Sequence, residues 1–166
     1  MEPVSGVRMT LEGFPGIYVK NKNLEGNPAK SKRGYATRSF TISLTPEYAQ
    51  AFIDKGFPVK YPENNMTDDP KPYLAMVLFA EAKYDYPATV VIADNGVNRR
   101  RIRPEGWKEF DESPIEYIDA ELVTYKNTKD NIVVKCEALY FRTKASLIRN
   151  KYPDAFDDEF EPAPFQ

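Results

Sequence analysis

Two stretches in the second half of the chain repeat every second residue, and this period constrains the fold more than any other feature. Across residues 115–125, Ile118, Ala120 and Leu122 fall opposite Tyr117, Asp119, Glu121 and Val123. Across residues 131–141, Ile132, Val134, Cys136 and Ala138 fall opposite Lys135 and Glu137. A period of two places alternate side chains on opposite faces of an extended strand. The link, Lys126-Asn127-Thr128-Lys129-Asp130, has turn composition, so the pair predicts one long antiparallel hairpin.

Other segments point the same way. Residues 37–44 alternate, with Phe40, Ile42 and Leu44 on one face. Residues 73–83 are apolar at nearly every position and predict a central strand buried on both faces, or a short buried helix. Residues 88–93 predict a short strand ending at the turn Asp94-Asn95-Gly96, and residues 16–22 a further strand. One helix is well punctuated: Thr45 caps it, Pro46 takes its first position, Glu47 to Lys55 form its body and Gly56 ends it. Tyr48, Ala51 and Phe52 share its apolar face. A shorter helix is predicted over residues 144–151, before Pro153. Five or six hairpin-connected strands, with many of the 14 prolines between them, predict a mainly β fold with one or two helices. A small β-barrel fits this pattern better than an α/β sheet. Residues 1–152 form the expected domain and residues 153–166 a flexible acidic tail.

Composition removes whole classes of chemistry. The chain has 166 residues, no histidine and one cysteine, Cys136. Ser-His-Asp triads, Cys-His pairs, His-containing metal sites, cysteine zinc sites and an intrachain disulfide are excluded. Carboxylate chemistry survives. Asp119 and Glu121 share a strand face and Asp94 ends another strand, so a carboxylate-metal nuclease is one alternative. Against it, no lysine follows Glu121 at a short spacing, and paired acids on an exposed strand are commonly just solvated. The chain has no GxxxxGK[ST] loop, and Asp157-Asp158-Glu159 lacks the glycine and spacing of a calcium loop. No metal or cofactor is expected. No stretch reaches the roughly 18 apolar residues of a membrane span. The start, Met1-Glu2-Pro3-Val4-Ser5, lacks a signal-peptide layout, so a cytoplasmic protein with no membrane partner is expected.

The net charge of −2 conceals a split. Residues 153–166 hold Asp154, Asp157, Asp158, Glu159 and Glu161 and no base, which leaves residues 1–152 at +3. Bases cluster at Lys20, Lys22, Lys30, Lys32, Arg33 and Arg38, and again at Arg99, Arg100, Arg101 and Arg103. Aromatics are interleaved with them: Tyr18 beside Lys20, Tyr35 among Lys32, Arg33 and Arg38, Tyr84 and Tyr86 beside Lys83, and Trp107 beside Lys108. Single-stranded nucleic acid needs both kinds of group, cations for phosphates and ring faces for unpaired bases. The candidates for stacking are Tyr18, Tyr35, Tyr84 and Trp107. Those for phosphate contact are Lys20, Lys32, Arg33, Arg38, Arg99, Arg100 and Arg101, with Tyr125 and Lys126 behind them. Each ring has a plain alternative as a core or loop-packing residue, and a barrel that binds only protein is a further rival. In the tail, Asp157, Asp158, Glu159, Phe160 and Phe165 form an acidic, aromatic-spaced segment suited to binding a partner protein or to covering the basic groove.

These segments together resemble the phage-encoded single-stranded DNA-binding proteins with an OB-fold, over roughly residues 13–141. The resemblance rests on Phe14-Pro15-Gly16, on residues 40–44 followed by Pro46-Glu47-Tyr48-Ala49, and on Gly56-Phe57-Pro58-Val59-Lys60. It continues through Tyr73-Leu74-Ala75-Met76-Val77, Tyr86-Pro87-Ala88-Thr89-Val90 and Ile118-Asp119-Ala120-Glu121-Leu122. The acidic tail with Pro164-Phe165 is similar to that of bacterial single-strand binders. The resemblance implies a five-stranded Greek-key barrel and sequence-tolerant binding of displaced DNA strands in phage replication or recombination, in the host cytoplasm. It also implies no enzymatic activity and a tail that recruits replication or recombination proteins. Barrel binders are often dimers or larger, so a homo-oligomer is among the expected partners.

Overall fold

The structure is a computed structural model, and it describes residues 2–30, 34, 36–62 and 71–144. The strands are β1 (Arg8–Pro15), β2 (Val19–Asn23), β3 (Ser39–Ser43), β4 (Tyr73–Val77), β5 (Val90–Asp94), β6 (Arg99–Ile102), β7 (Ile115–Lys126) and β8 (Ile132–Thr143). The helices are α1 (Pro46–Lys55) and α2 (Lys108–Glu112). The fold is therefore mainly β, with two helices and one mixed sheet of eight strands among the described residues. No described helix is long and apolar enough to cross a membrane.

The long hairpin forms as its period requires. β7 and β8 pair antiparallel from Lys126 and Ile132 back to Ile115 and Thr143. Asn127 Oδ1 closes the turn by accepting the Lys129 and Asn131 amides, each at 3.0 Å. The pairing is interrupted twice, once at Glu116 near the open end of the hairpin and once in its middle. Leu122 faces Cys136 but Glu121 faces Ala138, so Glu137 is an extra residue and the ladder bulges. Because side chains alternate, one extra residue reverses the parity of everything beyond it. Val134 and Cys136 point to the core before the bulge, and Leu139 and Phe141 after it. The sequence places Ala138 with Cys136 on the inner face; the bulge turns it outward beside Glu121.

β8 organises the rest of the sheet. Its free edge pairs in parallel with β4 at Lys135 and with β5 from Ala138 to Arg142. The strand order is β1-β7-β8-β4-β3-β2, with the β5–β6 hairpin carried on β8. The two ends of that order, β1 and β2, are consecutive in the chain and joined only by a 3-10 turn at Gly16–Tyr18. One stretch of chain thus pairs with β7 by its first half and with β3 by its second. The buried face collects Phe14, Phe40, Phe52, Phe57, Trp107, Phe110 and Phe141, with Phe110 touching both Phe40 (5.2 Å between ring centres) and Phe141 (5.1 Å).

The α1 boundaries follow the sequence. Thr45 Oγ1 accepts the Tyr48 amide at 3.3 Å, and Gly56 ends the helix at φ +97°, where a β-carbon would be strained. Ala49 and Phe52 are its buried residues. Other expectations are corrected. The strand expected over residues 73–83 ends at Val77. Beyond it Leu78 and Phe79 stay buried in irregular chain, with the Leu78 amide bonded to Arg38 O (2.9 Å) and the Phe79 amide to Thr89 Oγ1 (2.9 Å). Apolar composition there marked burial, not extension. Residues 16–18 are a 3-10 turn instead of the start of a strand. β1, β6 and α2 were not foreseen. The helix expected over residues 144–151 and the tail lie outside the described residues, apart from Lys144.

The joint between β1 and β2 is sterically full. A β-carbon on Gly16 would lie 1.9 Å from the carbonyl oxygen of Ile115, which is backbone and has no flexible end to yield. We expect Gly16→Ala to lower the unfolding free energy by about 1–3 kcal/mol, as overpacking does. Urea denaturation measures this, and an unchanged midpoint would contradict the close approach.

Candidate functional site

Three separate pieces of chain meet at one end of β4. Residues 36–38 enter β3, residues 77–83 leave β4, and Tyr125 closes the far wall, around a groove of about 660 Å³. Its most distinctive wall is aromatic. Tyr125 contacts Phe79 edge-on (5.5 Å between centres), Tyr86 at 5.8 Å and Tyr84 in a stacked arrangement at 5.8 Å and 28°. Tyr84 is 40% exposed, with the Lys83 ammonium over its ring.

Tyr84 is held there by a tight turn. Lys83 and Tyr86 exchange two backbone hydrogen bonds, at 3.0 and 2.9 Å. The residues between them, Tyr84 and Asp85, have φ of +52° and +66°. Both central residues are left-handed, the arrangement of a tight hairpin turn that normally uses glycine or asparagine. A tyrosine there is strained by roughly 1–3 kcal/mol and must be held by its surroundings. The stack on Tyr125 and the Lys83 ammonium, 5.0 Å from the Tyr84 ring centre, supply that hold.

Lys135 lies beneath the cluster, fully buried. Its ammonium donates to the Pro87 carbonyl at 2.6 Å and sits 5.2 Å from Phe79 and 5.7 Å from Tyr86. Burial pulls its pKa below the ordinary lysine value. The same burial pushes the Tyr125 hydroxyl up to about 12.

Arg38 borders the groove and fixes its loop. Its guanidinium donates to Leu24 O (2.9 Å) and Pro104 O (3.1 Å) and lies 5.3 Å over the Trp107 ring. Nearby, Asp111 accepts the Leu24 and Glu25 amides at 2.7 and 3.0 Å and pairs with Lys30. The segment between β2 and β3 is thereby tied to α2 and to the turn after β6.

The sequence candidates divide accordingly. Tyr125 and Arg38 line the groove; Tyr84 is not among its lining residues but stacks on Tyr125, and exposed Lys126 follows Tyr125. Tyr18 is not among the groove residues; it is half-buried against Phe14 at 6.1 Å, under Lys71. Lys20 is exposed on β2. Trp107 is corrected: the indole is wholly buried, donates to Ile102 O at 3.2 Å and offers no face for a base. A large ring followed by a short helix was core. Arg99 pairs with Asp94 and Arg100 with both oxygens of Glu109, while Arg101 is exposed. Lys32, Arg33, Tyr35 and the tail residues Asp157, Asp158, Glu159, Phe160 and Phe165 lie outside the described residues. Phe79 and Lys135 were not singled out, and Tyr86, noted beside Lys83, was not among the stacking candidates. Tyr86 had a signal in its spacing from Tyr84; Lys135 had none, because the alternation placed it on the polar face.

Of the candidate carboxylates, Asp94 and Asp119 are otherwise engaged, while Glu121 is exposed. Asp94 is buried and accepts the Tyr140 hydroxyl at 2.6 Å, the Gly96 amide at 2.8 Å and Arg99 at 3.4 Å. The Tyr140 hydrogen bond is the chief reason its pKa lies below the usual carboxylate value. Asp119 Oδ1 accepts the Gly13 amide at 2.7 Å. Among the described residues no three acids or cysteines converge as metal ligands.

The buried hydroxyl of Tyr125 gives a pH signature. Its pKa is raised from 10.0, so the neutral form is favoured in the folded state. That contribution to stability is complete below pH 10 and is lost as pH rises towards 12. We expect the unfolding free energy of Tyr125→Phe to fall less steeply than that of the parent protein over this window, measured by urea titration. Lys135 is common to both proteins and cancels. Equal slopes would place the Tyr125 hydroxyl in solvent. No protein-family model, curated protein or solved structure matches this chain.

Proposed function

We propose that this protein binds single-stranded DNA without sequence preference, on an OB-type barrel, and does no chemistry on it. The topology supports the barrel. Taking β1 and β2 as one bent strand, the order β1/β2-β3-β4-β8-β7 returns to β1, with β4 and β8 parallel. The β5–β6 hairpin is then an addition on β8. Barrels of this type bind oligonucleotides across their second and third strands and the loops between strands one and two and strands four and five. In this chain those are β3, β4, residues 24–38 and residues 127–131.

The observation that carries the reading is the groove at that position, lined by Arg38, Lys83 and Tyr125, with the part-exposed Tyr84 stacked on Tyr125. Unpaired bases stack on such a ring and lysine and arginine meet the phosphates. The biological setting follows from the sequence resemblance: covering displaced strands during phage replication or recombination, with the acidic tail recruiting partner proteins.

Fluorescence anisotropy with labelled oligothymidine, repeated across salt concentrations, tests the proposal. Affinity should fall steeply with salt. Tyr84→Ala should weaken binding by about 1–3 kcal/mol, the usual worth of one stacked base. Absence of binding at low salt would overturn the proposal in favour of a protein-binding barrel. Cleavage of labelled DNA in magnesium or manganese, abolished by Asp119→Ala, would replace it with a nuclease. Deletion of residues 154–166 should leave DNA affinity unchanged or higher; clearly weaker binding would remove the idea that the tail competes for the groove.

A further inference from the structure

Four arginines line β6 and its exit, yet their surroundings differ. β6 pairs only with β5 among the described residues, so no described strand lies on its other edge. Arg103 continues the extended backbone of β6, with φ −81° and ψ 163°. Alternation therefore sets Arg99, Arg101 and Arg103 on one side and Arg100 and Ile102 on the other. Ile102 packs on the core and Arg100 is held by Glu109. Arg99 is drawn to Asp94. Arg101 and Arg103 are exposed, and among the described residues neither forms an ion pair.

The direction of β6 matters as much. Ile102 lies opposite Val91 and Arg99 opposite Asp94. Just before Val91, Thr89 is bonded twice to Phe79, through its amide at 2.7 Å and its hydroxyl at 2.9 Å. Phe79 is a wall of the groove. The Arg103 end of β6 is thus the end nearer Phe79 and the groove, and the Arg99 end points away. Arg38 makes a second, independent tie: it lines the groove and donates to the carbonyl of Pro104, the residue after Arg103.

Resting on the strand-binding reading above, we infer that the bound strand leaves the aromatic groove past Arg38 and runs along the edge of β6 away from β5, where Arg103 and then Arg101 contact its phosphates. Charge complementarity selects the occupant. Two unneutralised guanidiniums beside a groove suit a phosphodiester backbone, which they can grip with paired N–H donors. Charge on an edge strand also deters pairing with another chain. That role alone would be served at any position along the edge, whereas the unpaired arginines stand at the groove end.

The test compares oligothymidines of about 5 and about 16 nucleotides, the range of site sizes for such barrels. The full-length protein and its Arg101→Ala/Arg103→Ala variant are titrated at several salt concentrations. The variant should bind the short oligomer like the parent and the long one more weakly. For the long oligomer its salt slope should be smaller by about 1.4, from two lost contacts at about 0.7 each. Equal loss at both lengths, or no loss at either, would overturn the inference while leaving strand binding intact. A changed mass in light scattering with an unchanged salt slope would reassign the edge to contact between copies of the chain. If the parent protein binds neither oligomer, the strand-binding reading fails and this inference with it.

Discussion

The extra residue at Glu137 is the constraint on which the rest of the molecule depends. Without it, β8 would present one continuous inner face and Lys135 would share its outer face with Leu139 and Phe141. With it, the inner face carries Val134 and Cys136 below the bulge and Leu139 and Phe141 above it. The outer face is divided in the same way. Below the bulge, Tyr125 and Lys135 are roofed by Phe79, Tyr84 and Tyr86. Above it, Tyr140 and Asp94 form a separate hydrogen-bonded pair, with Arg99 beside them. The groove and the β5–β6 hairpin therefore sit on opposite sides of one irregularity in one ladder, and both take their register from β8.

Local neutralisation then decides which charges have a role left to play. Lys30 is paired with Glu25 and Asp111, Arg100 with Glu109, Arg99 with Asp94, and Arg8 with Glu137. Pairs whose cation is solvent-exposed contribute little to stability, about 0–1 kcal/mol each. Their effect is to remove cations from the reach of an external anion. Arg38 acts differently: bonded to two carbonyls and laid on Trp107, it keeps its charge while fixing the backbone around it. A clustered count of bases along the sequence therefore overstates the basic surface; Lys83, Arg38, Arg101 and Arg103 are among the described cations that form no ion pair.

How much of this was legible depends on how local the cause was. The β7–β8 hairpin and α1 were legible because their determinants lie within a few residues: strict alternation, Asn127 in the turn, Thr45 and Gly56 at the caps. The parity reversal was not, because a bulge leaves no mark in an alternating pattern except a mismatch that polar Glu137 hides. Trp107 was misread for a related reason. A tryptophan after a run of arginines looks like a binding residue, but its fate was set by Arg38, Ile102 and the core beneath it, all placed by tertiary structure. β6 was missed because four charged or branched residues, Arg99–Ile102, show no amphipathic period of their own; β5 makes them a strand. Of the candidate site, Tyr84 and Arg38 were legible as an aromatic and a base, and their convergence with Tyr125 was not.

The turn at Tyr84 shows why that convergence has functional weight. Glycine or asparagine at positions 84 and 85 would satisfy the same backbone at lower conformational cost. The chain instead places tyrosine and aspartate there, both left-handed, at a combined cost of several kcal/mol. Folding alone does not require this, because Tyr125 is already covered by Phe79 and Tyr86. What the tyrosine adds is a part-exposed ring stacked on Tyr125 with the Lys83 ammonium over it, held by a two-residue turn. A pre-set platform binds a flexible strand with less loss of entropy than a mobile side chain would. Strain in the backbone is thus offset by order in the ring, which stacks on Tyr125 in the wall of the groove that Lys83 and Arg38 border.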